Sequence, residues 1–517
     1  MKKYYRIFSV LAVVCGMALT SCKDFLDINK NPNYLSDASV TTLLPSVCAS
    51  TVAQLGYNGE VLGIMFNQFC TQGNSTNQYN TAVTFALTNS SYTGFWTNPY
   101  GATLPDAKIM IQKAEEAGYW NYWLIGKVLM AYNWSILTDI YEDIPFTEAL
   151  NADEFPYPKY DSGRDVVYPA LLVMLDEAIA KESDAKASAK KSTTPSINTK
   201  DFFFEGDIDK WVAFAKSLKL KIMMKDFAKY ESQISSLLSA GGLLEEDAAV
   251  TCWENAANKG NPFYESNIRQ LNTQENVRGC HTLIEYMIAN DDIRLENIFE
   301  PTYASTQSGA TTLRGRFEGL PYGTKPETSG EEGVPITNSS RWLQAYDDPT
   351  YIMNKAEAYF LVAEAYARLD NAAKAKENYD LGVMAGFERF GKNGSSYVAE
   401  GGVYEFDADN MIECIMLQKW VSYAKANALD GWFDRNRTGY PRLAGPITVR
   451  VSDADYTKGL TAGYELGTFV DPGTNALQAF EYPRRLMIPT SSSQYNPNAP
   501  VTKGLEEPMW WQVEQGK

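Results

Sequence analysis

Aromatic rings and short amides are the side chains of this sequence best suited to hold a ligand, and both are concentrated in residues 71–100. Flat rings cover the apolar faces of sugars and peptides, while amides exchange hydrogen bonds with hydroxyl or backbone groups. The ligand-contacting residues predicted in this segment are Gln72, Asn74, Asn77, Tyr79 and Trp96. Trp96 and Tyr100 are also spaced for one face of a helix, so an aromatic lid on the core is the alternative for that pair.

Two further segments combine rings with polar side chains. Tyr322 and Trp342 flank a loop rich in Gly, Thr and Ser, and both are predicted to contact the ligand. The third candidate group consists of Trp253, Asn255, Phe263 and Tyr264. For each group the alternative is that the rings pack inside the protein, as most buried aromatic residues do.

Sequence motifs for catalysis are absent: there is no G-x-S-x-G, H-E-x-x-H, phosphate-binding loop or dinucleotide fingerprint. His281 is the only histidine, which excludes multi-histidine metal sites and leaves little for a histidine-dependent triad. We therefore expect no enzyme activity, no catalytic or metal-ligating residue and no cofactor. A glycoside hydrolase needs only two carboxylates, and the sequence has 63 acidic residues, so hydrolase activity remains an alternative. With so many acidic residues, a structural calcium site cannot be recognised from the sequence either.

Charge and composition narrow the choice of partners. The formal net charge is -17 over 517 residues, so the chain repels a phosphate backbone and we expect no nucleic-acid partner. Hydrophobic residues make up 45% and charged residues 21%, which is typical of a folded globular protein.

The first residues have the layout of a secretory signal peptide. Lys2, Lys3 and Arg6 precede a short apolar run, which ends in "ALTSC" at Cys22. This ending resembles a bacterial lipobox, in which the cysteine is acylated and becomes the first residue of the mature protein. We therefore predict a signal peptide at 1–21, a lipid anchor at Cys22 and one mature domain over 22–517. An ordinary signal peptide with a chance cysteine is the alternative.

Helical periodicity dominates the mature chain, with apolar residues at three- and four-residue steps in 103–115, 121–141, 165–181 and 210–230. Residues 354–382 resemble one tetratricopeptide hairpin, in which small residues let two helices approach closely. The predicted fold class is therefore all-α, a tetratricopeptide-like α/α superhelix with long irregular binding loops. In such a scaffold the loops carry the function.

Six short strings, in a fixed order, resemble the SusD/RagB outer-membrane nutrient-binding lipoproteins. They extend from the N-terminus of the mature chain almost to its C-terminus, and the first has the D-x-N-x-N-P form of one SusD-like group. The strings are "DINKNPN" (27–33), "DIYEDIPFTEAL" (139–150), "WVAFAKSLKLKIMMK" (211–225), "NKAEAYFLVAEA" (354–365), "QKWVSYAKANALDGWFDRNRTGYPRL" (418–443) and "YPRRLMIP" (482–489).

The resemblance implies a lipoprotein held in the outer membrane by its lipid and facing the extracellular side. It would bind oligosaccharides and deliver them to a SusC-like TonB-dependent transporter, without catalysis. Lys23 and Asp24 resemble the short charged signal for surface export in Bacteroidetes. The alternatives are a peptide-binding receptor of the RagB type, a protein-binding scaffold and a glycoside hydrolase. We also expect Arg435 and Arg437 to pair with acidic residues and not with a ligand.

The lipobox predicts that Cys22→Ala abolishes lipid attachment, because only that cysteine is placed for acylation. In cells fed labelled palmitate, the native protein is expected to carry label and to sediment with membranes, and the variant to do neither. Cys15→Ala, which changes a cysteine of the apolar run, is the matched control and should keep the label. Labelled Cys22→Ala protein would contradict the anchor.

Overall fold

The computed structural model describes residues 38–73, 78–272, 276–323, 339–443, 465–472, 475–478 and 481–513. From Val40 onward these residues belong to one compact unit. Cys22 and the proposed cleavage point lie outside the described residues, so both stay predictions. Of the helices described, none combines the length and apolar composition needed to cross a membrane.

Most of the described chain is helical, which confirms the predicted fold class. Twelve helices in the described residues have eight or more residues, and they are labelled here in chain order. They are α1 Val40–Gln54, α2 Leu104–Ala117, α3 Trp120–Tyr141, α4 Tyr168–Ala180, α5 Glu182–Ala189, α6 Ile208–Met223, α7 Phe227–Ala240, α8 His281–Ala289, α9 Lys355–Arg368, α10 Ala372–Glu388, α11 Met411–Ser422 and α12 Ala428–Thr438.

Shorter helical segments connect these helices and shape the loops. The α-helical ones are Glu60–Phe66, Asn80–Val83, Gly94–Asn98, Pro262–Tyr264, Leu295–Ile298, Tyr303–Ser308, Leu313–Arg316, Ser395–Val398 and Thr490–Ser493. The π-helical turns are Leu55–Gly59, Pro99–Thr103, Gly163–Val167 and Glu265–Gln270, and Met224–Asp226 is a single 3₁₀ turn.

The described strands form three antiparallel pairs, each of which joins segments far apart in the chain or closes a loop. β1 Cys70–Gln72 pairs with β5 Val277–Gly279, with Cys70 opposite Gly279. β2 Ile144–Pro145 pairs with β3 Tyr160–Asp161. β4 Ala248–Val250 pairs with β6 Thr350–Met353.

The helices pack on their neighbours in sequence, as expected of a superhelix: α1 on α2, α2 on α3, α3 on α4, and α4 on α6. The predicted hairpin is the α9–α10 pair, which also packs on α11. Ala363, Ala365 and Ala375 are buried there. Gly382 of α10 lies so close to α9 that a Cβ would stand 2.8 Å from the Phe360 ring. Small residues therefore set the spacing of this hairpin.

The prediction for 210–230 differs from the structure in one respect. α6 ends at Met223 and α7 begins at Phe227, so the periodic stretch is two helices. Asp226 leaves the helical region (φ -134°, ψ 63°), which breaks the hydrogen-bond ladder between them. Lys225, in the intervening turn, is buried against Asp139 of α3, with its Nζ 2.9 Å from the carboxylate.

A buried network of charges links α9, α11 and α12. Arg437 of α12 donates from both terminal nitrogens to the Glu364 carboxylate of α9, each at 2.6 Å, and from Nη2 to Asp434 at 2.7 Å. Lys419 of α11 lies 2.6 Å from Asp434. The positive charges of Arg437 and then Arg368 hold the pKa of Glu364 at about 2 despite its burial. Glu364 therefore stays charged and paired at neutral pH.

A second group of the same kind joins α6 to α9 and α12. Lys221 Nζ lies 2.8 Å from Glu357 Oε1 and 2.7 Å from Asp430 Oδ2. α12 also packs on the short helix Glu60–Phe66, where a Cβ on Gly63 would stand 2.4 Å from the backbone of Ala428. α12 is thus held by ion pairs on one side and by close backbone contact on another.

Removing one partner of the bidentate pair should destabilise the protein strongly. Arg437→Met leaves Glu364 and Asp434 buried with less counter-charge, and we expect the free energy of unfolding in urea to fall by about 3–5 kcal/mol. Arg368→Met is the control: that guanidinium is 30% exposed and also contacts Glu364, so its loss should cost about 1 kcal/mol or less. Equal losses for the two variants would contradict the role of burial.

Candidate ligand-binding site

Residues from the three sequence segments with candidate ligand residues meet in one hydrogen-bonded chain. The backbone N–H of Tyr79 donates to Gln72 Oε1 at 2.7 Å, and the Tyr79 hydroxyl donates to Asn267 Oδ1 at 3.0 Å. Asn267 Nδ2 in turn donates to Gln344 Oε1 at 2.8 Å. Gln72 Nε2 also donates to Asn276 at 3.4 Å. The tertiary structure thus couples β1, the π turn Glu265–Gln270 and the loop that follows Trp342.

This hydrogen-bonded chain runs from the protein interior to the surface. Gln72, Tyr79 and Asn267 are buried, whereas Gln344 is partly exposed. Burial, followed by the neighbouring Tyr57 and Tyr92 phenols, raises the pKa of Tyr79 far above its usual value, so the hydroxyl stays neutral and remains a donor. The buried members therefore orient the Gln344 amide at the surface.

Two partly exposed tyrosines lie in the same segments: Tyr346 follows Gln344 by two residues, and Tyr264 precedes Asn267 by three. The rings of Tyr264 and Tyr346 meet edge to face, with centroids 6.4 Å apart and planes at 73°. The Arg269 guanidinium lies 5.4 Å from the Tyr264 ring centroid. Arg269 also donates to Glu265 at 2.9 Å and to the exposed Asn255 amide at 3.0 Å. The surface formed by Tyr264, Tyr346, Gln344, Arg269 and Asn255 is called the ring–amide surface below.

Local backbone contacts hold the two tyrosines in place. Asn261 caps the short helix Pro262–Tyr264, because its Oδ1 accepts the N–H groups of Phe263 and Tyr264 at 2.9 and 3.2 Å. The backbone N–H of Asn261 donates to the carbonyl of Tyr346 at 2.7 Å. One residue therefore fixes the segments that carry both rings.

The predicted ligand residues of the first segment lie in different places. Gln72 and Tyr79 belong to the buried chain just described. Trp96 is 7% exposed and packs in the core, with ring centroids 5.2 Å from Tyr100 and 5.0 Å from Tyr141. Its geometry matches the aromatic-lid alternative. Asn74 and Asn77 lie outside the described residues, so their ligand role stays a prediction.

Tyr322 and Trp342 are also buried. Tyr322 packs against Phe85, with centroids 6.1 Å apart. Trp342 lies parallel to Phe69, with centroids 6.4 Å apart and planes at 6°. The structure thus gives these rings packing roles, and contact with a ligand remains untested for them. Trp342 nevertheless marks the segment that presents Gln344 and Tyr346.

Sequence reasoning named Tyr264 and Asn255 but missed Asn267, Arg269, Gln344 and Tyr346. A local signal existed for each, since every one of them lies within five residues of a candidate aromatic residue. Nothing in the sequence placed residues 264–269 beside residues 344–346, because that proximity is created by packing between distant segments.

Metal ligands and the single histidine were the remaining candidates for chemistry in the part of the chain that the structure describes. No group of three acidic, histidine or cysteine side chains within the described residues is arranged to hold a metal ion. His281 is buried, with Nδ1 3.3 Å from the Leu320 carbonyl oxygen. Burial lowers its pKa to about 4, so the ring is neutral at physiological pH.

Comparisons with known proteins agree with the fold. Solved structures with a similar fold include a SusD homolog from Bacteroides uniformis (20% identity, TM-score 0.68, covering 91% of this chain and 99% of the other). A SusD/RagB family protein from Bacteroides thetaiotaomicron (20% identity, TM-score 0.67) covers 92% of this chain and 99% of the other. A chitin-binding protein (22% identity, TM-score 0.69) covers 92% and 100%. At these identities the likeness concerns the fold alone.

No curated protein matches the chain in sequence. The family model for the second SusD-like group, described as "Starch-binding associating with outer membrane", matches residues 32–457. This match covers most of the 517 residues and includes the α9–α10 hairpin, the buried charge network and the ring–amide surface. The chain therefore belongs to the SusD-like family.

Proposed function

We propose that the protein is a lipid-anchored receptor on the outside of the outer membrane that binds oligosaccharides at the ring–amide surface. It then passes them to a SusC-like TonB-dependent transporter without cleaving them. The observation that carries the proposal is that the buried Tyr79–Asn267 chain holds the Gln344 amide on the same two segments that carry the paired, partly exposed rings of Tyr264 and Tyr346.

This arrangement suits the chemistry of a sugar. A pyranose ring has an apolar face that packs on an aromatic ring and a rim of hydroxyls that exchange hydrogen bonds with amides. Because the amide and the rings are already held in place, binding orders few side chains, and preorganisation of this kind favours affinity.

The charges at the surface favour a neutral ligand. The Arg269 guanidinium, the main positive group there, is already paired with the Glu265 carboxylate, which also accepts the backbone N–H groups of Asn258 and Gly260 at 3.0 and 3.2 Å. An anionic sugar would have to compete with Glu265 for Arg269. Starch and chitin oligosaccharides are neutral, and starch and chitin are named for the family model and for one solved relative.

Release is part of the proposed function, since a receptor that feeds a transporter must give up its cargo. A surface with two tyrosine rings and a few amides is expected to bind weakly, with each ring contributing about 1 kcal/mol. The proposed anchor at Cys22 and transfer to a SusC-like transporter rest on the family resemblance.

Ring contacts should dominate affinity for a glycan. We expect Tyr264→Ala and Tyr346→Ala each to weaken binding of maltoheptaose or chitohexaose about fivefold, since about 1 kcal/mol is lost with each ring. Tyr303→Ala is the control, because Tyr303 is 67% exposed on a separate short helix. Titration calorimetry on the purified mature protein measures all of these affinities.

The same titrations separate the alternative functions. Heat with di- and tripeptides but with no glycan would replace the oligosaccharide by a peptide ligand. Accumulation of reducing ends during incubation with a glycan would indicate a hydrolase. If neither glycans nor peptides gave heat, the ring–amide surface would not be a nutrient site.

A further inference from the structure

The loop that presents Gln344 and Tyr346 is held by backbone contacts along its length. Leu343 N–H donates to the carbonyl of Ile298 at 3.0 Å, and Ala345 N–H donates to the Asp348 carboxylate at 2.9 Å. This segment, residues 343–348, is called the ligand loop below. It has no regular secondary structure, so its shape depends on such individual bonds.

Lys425 provides the charged contact between the ligand loop and the helices. Its ammonium donates to the Leu343 carbonyl at 2.8 Å and pairs with the Asp348 carboxylate. Only 11% of the side chain is exposed. Lys425 lies between α11 and α12 in a left-handed backbone conformation (φ 62°). It therefore connects the loop to the part of the scaffold that the buried charge network fixes.

A small cavity with both apolar and charged residues in its wall lies next to this contact. Its volume is about 40 Å³, which exceeds the roughly 10–15 Å³ that one water molecule needs. Lys425, Asp348, Glu60 and Asp430 all line it. Asp430 is 2% exposed, and its Oδ1 has no hydrogen-bond partner in the described part of the chain. Water in the cavity is thus expected to bond to Asp430.

Glu60 is a second carboxylate in the wall of the cavity that Lys425 lines. Burial raises the pKa of Glu60 to about 8, with Lys425 acting to lower it and Asp348 to raise it. Three more titratable groups lie near Glu60 or line the same cavity. Asp430 and Tyr132 line the cavity. Burial, followed by the neighbouring Cys280 and then Glu60, raises the pKa of the Cys70 thiol. Glu60 and Asp348 therefore line the same cavity as the Lys425 ammonium, which is paired with Asp348.

We propose that Lys425 is a positioning residue for the ligand, and that Glu60 competes with Asp348 for its ammonium once Glu60 has lost its proton. Lys425 bound to Asp348 keeps the ligand loop in the conformation that aligns Gln344 with Tyr346. Ligand affinity then falls in alkaline solution. The functional consequence rests on the proposed glycan site, whereas the state of the loop does not.

The direction of the pH effect follows from the charges. Below a pH of about 8 Glu60 is neutral and leaves Lys425 on Asp348. Above that pH an ionised Glu60 attracts Lys425 and repels Asp348. The ligand loop is therefore held firmly at neutral pH and is loosened as the pH rises through the pKa of Glu60.

The first test needs no ligand. Exchange of the Ala345 amide hydrogen reports the loop directly, because that N–H donates to Asp348. After division by the intrinsic exchange rate, we expect protection in the native protein to be constant from pH 6 to 7 and to fall about tenfold by pH 9.5. Glu60→Gln should keep high protection throughout, and Lys425→Met low protection throughout. Lys425→Arg should restore most of it.

The second test uses maltoheptaose and chitohexaose as probes over the same pH range. Affinity is expected to follow the Ala345 protection in the native protein and in each variant. If protection responds as described but no probe binds, the positioning role stands and the glycan proposal fails. If Glu60→Gln and Lys425→Met leave protection unchanged, the positioning role is overturned, whatever the probes do. Should Lys425→Met not fold, Glu60→Gln alone decides.

Discussion

A guanidinium buried between two carboxylates is the constraint on which the rest of the structure depends. Arg437 satisfies Glu364 with two parallel hydrogen bonds and reaches Asp434 with a third. Such groups are tolerated in a protein interior only when every partner is present, because an unpaired buried charge is costly. These ion pairs join α9 to α12, and Lys419 joins α11 to the same network.

This arrangement explains how an irregular binding surface is kept in shape. The connection from α11 to α12 carries Lys425, and Lys425 holds residues 343–348 through Leu343 and Asp348. The tyrosine pair is fixed from the other side by Asn261. The ion pairs thus hold the helices together, and a small number of side chains attach the loops to those helices.

The division between scaffold and loops also fits the low identity among solved relatives. The fold is kept at 20–22% identity over more than nine tenths of this chain. A scaffold defined by small residues at helix contacts and by a few buried pairs leaves most other positions free to vary. Loops on such a scaffold can change their rings and amides without changing the helices.

The sequence by itself determined the helical fold class, the α9–α10 hairpin, the absence of catalytic motifs and the family resemblance. It could do so because helical periodicity, small-residue spacing and motif order are local properties of the chain. It also indicated three segments rich in rings and amides. Only the tertiary structure decided which members of those segments are buried and which reach the surface. Trp96 and Trp342 are packed inside, while Gln344 and Tyr346 are presented.

The same limit applies to the two arginines of α12. Both were expected to pair with acidic residues, and Arg437 does so. Arg435 instead lies over Tyr482, with its guanidinium carbon 4.2 Å from the ring centroid, so that expectation was wrong for Arg435. Local spacing shows that two residues lie near the same helix end, but the partner each one meets depends on segments tens of residues away. Burial and partner choice are properties of long-range packing, which no local pattern encodes.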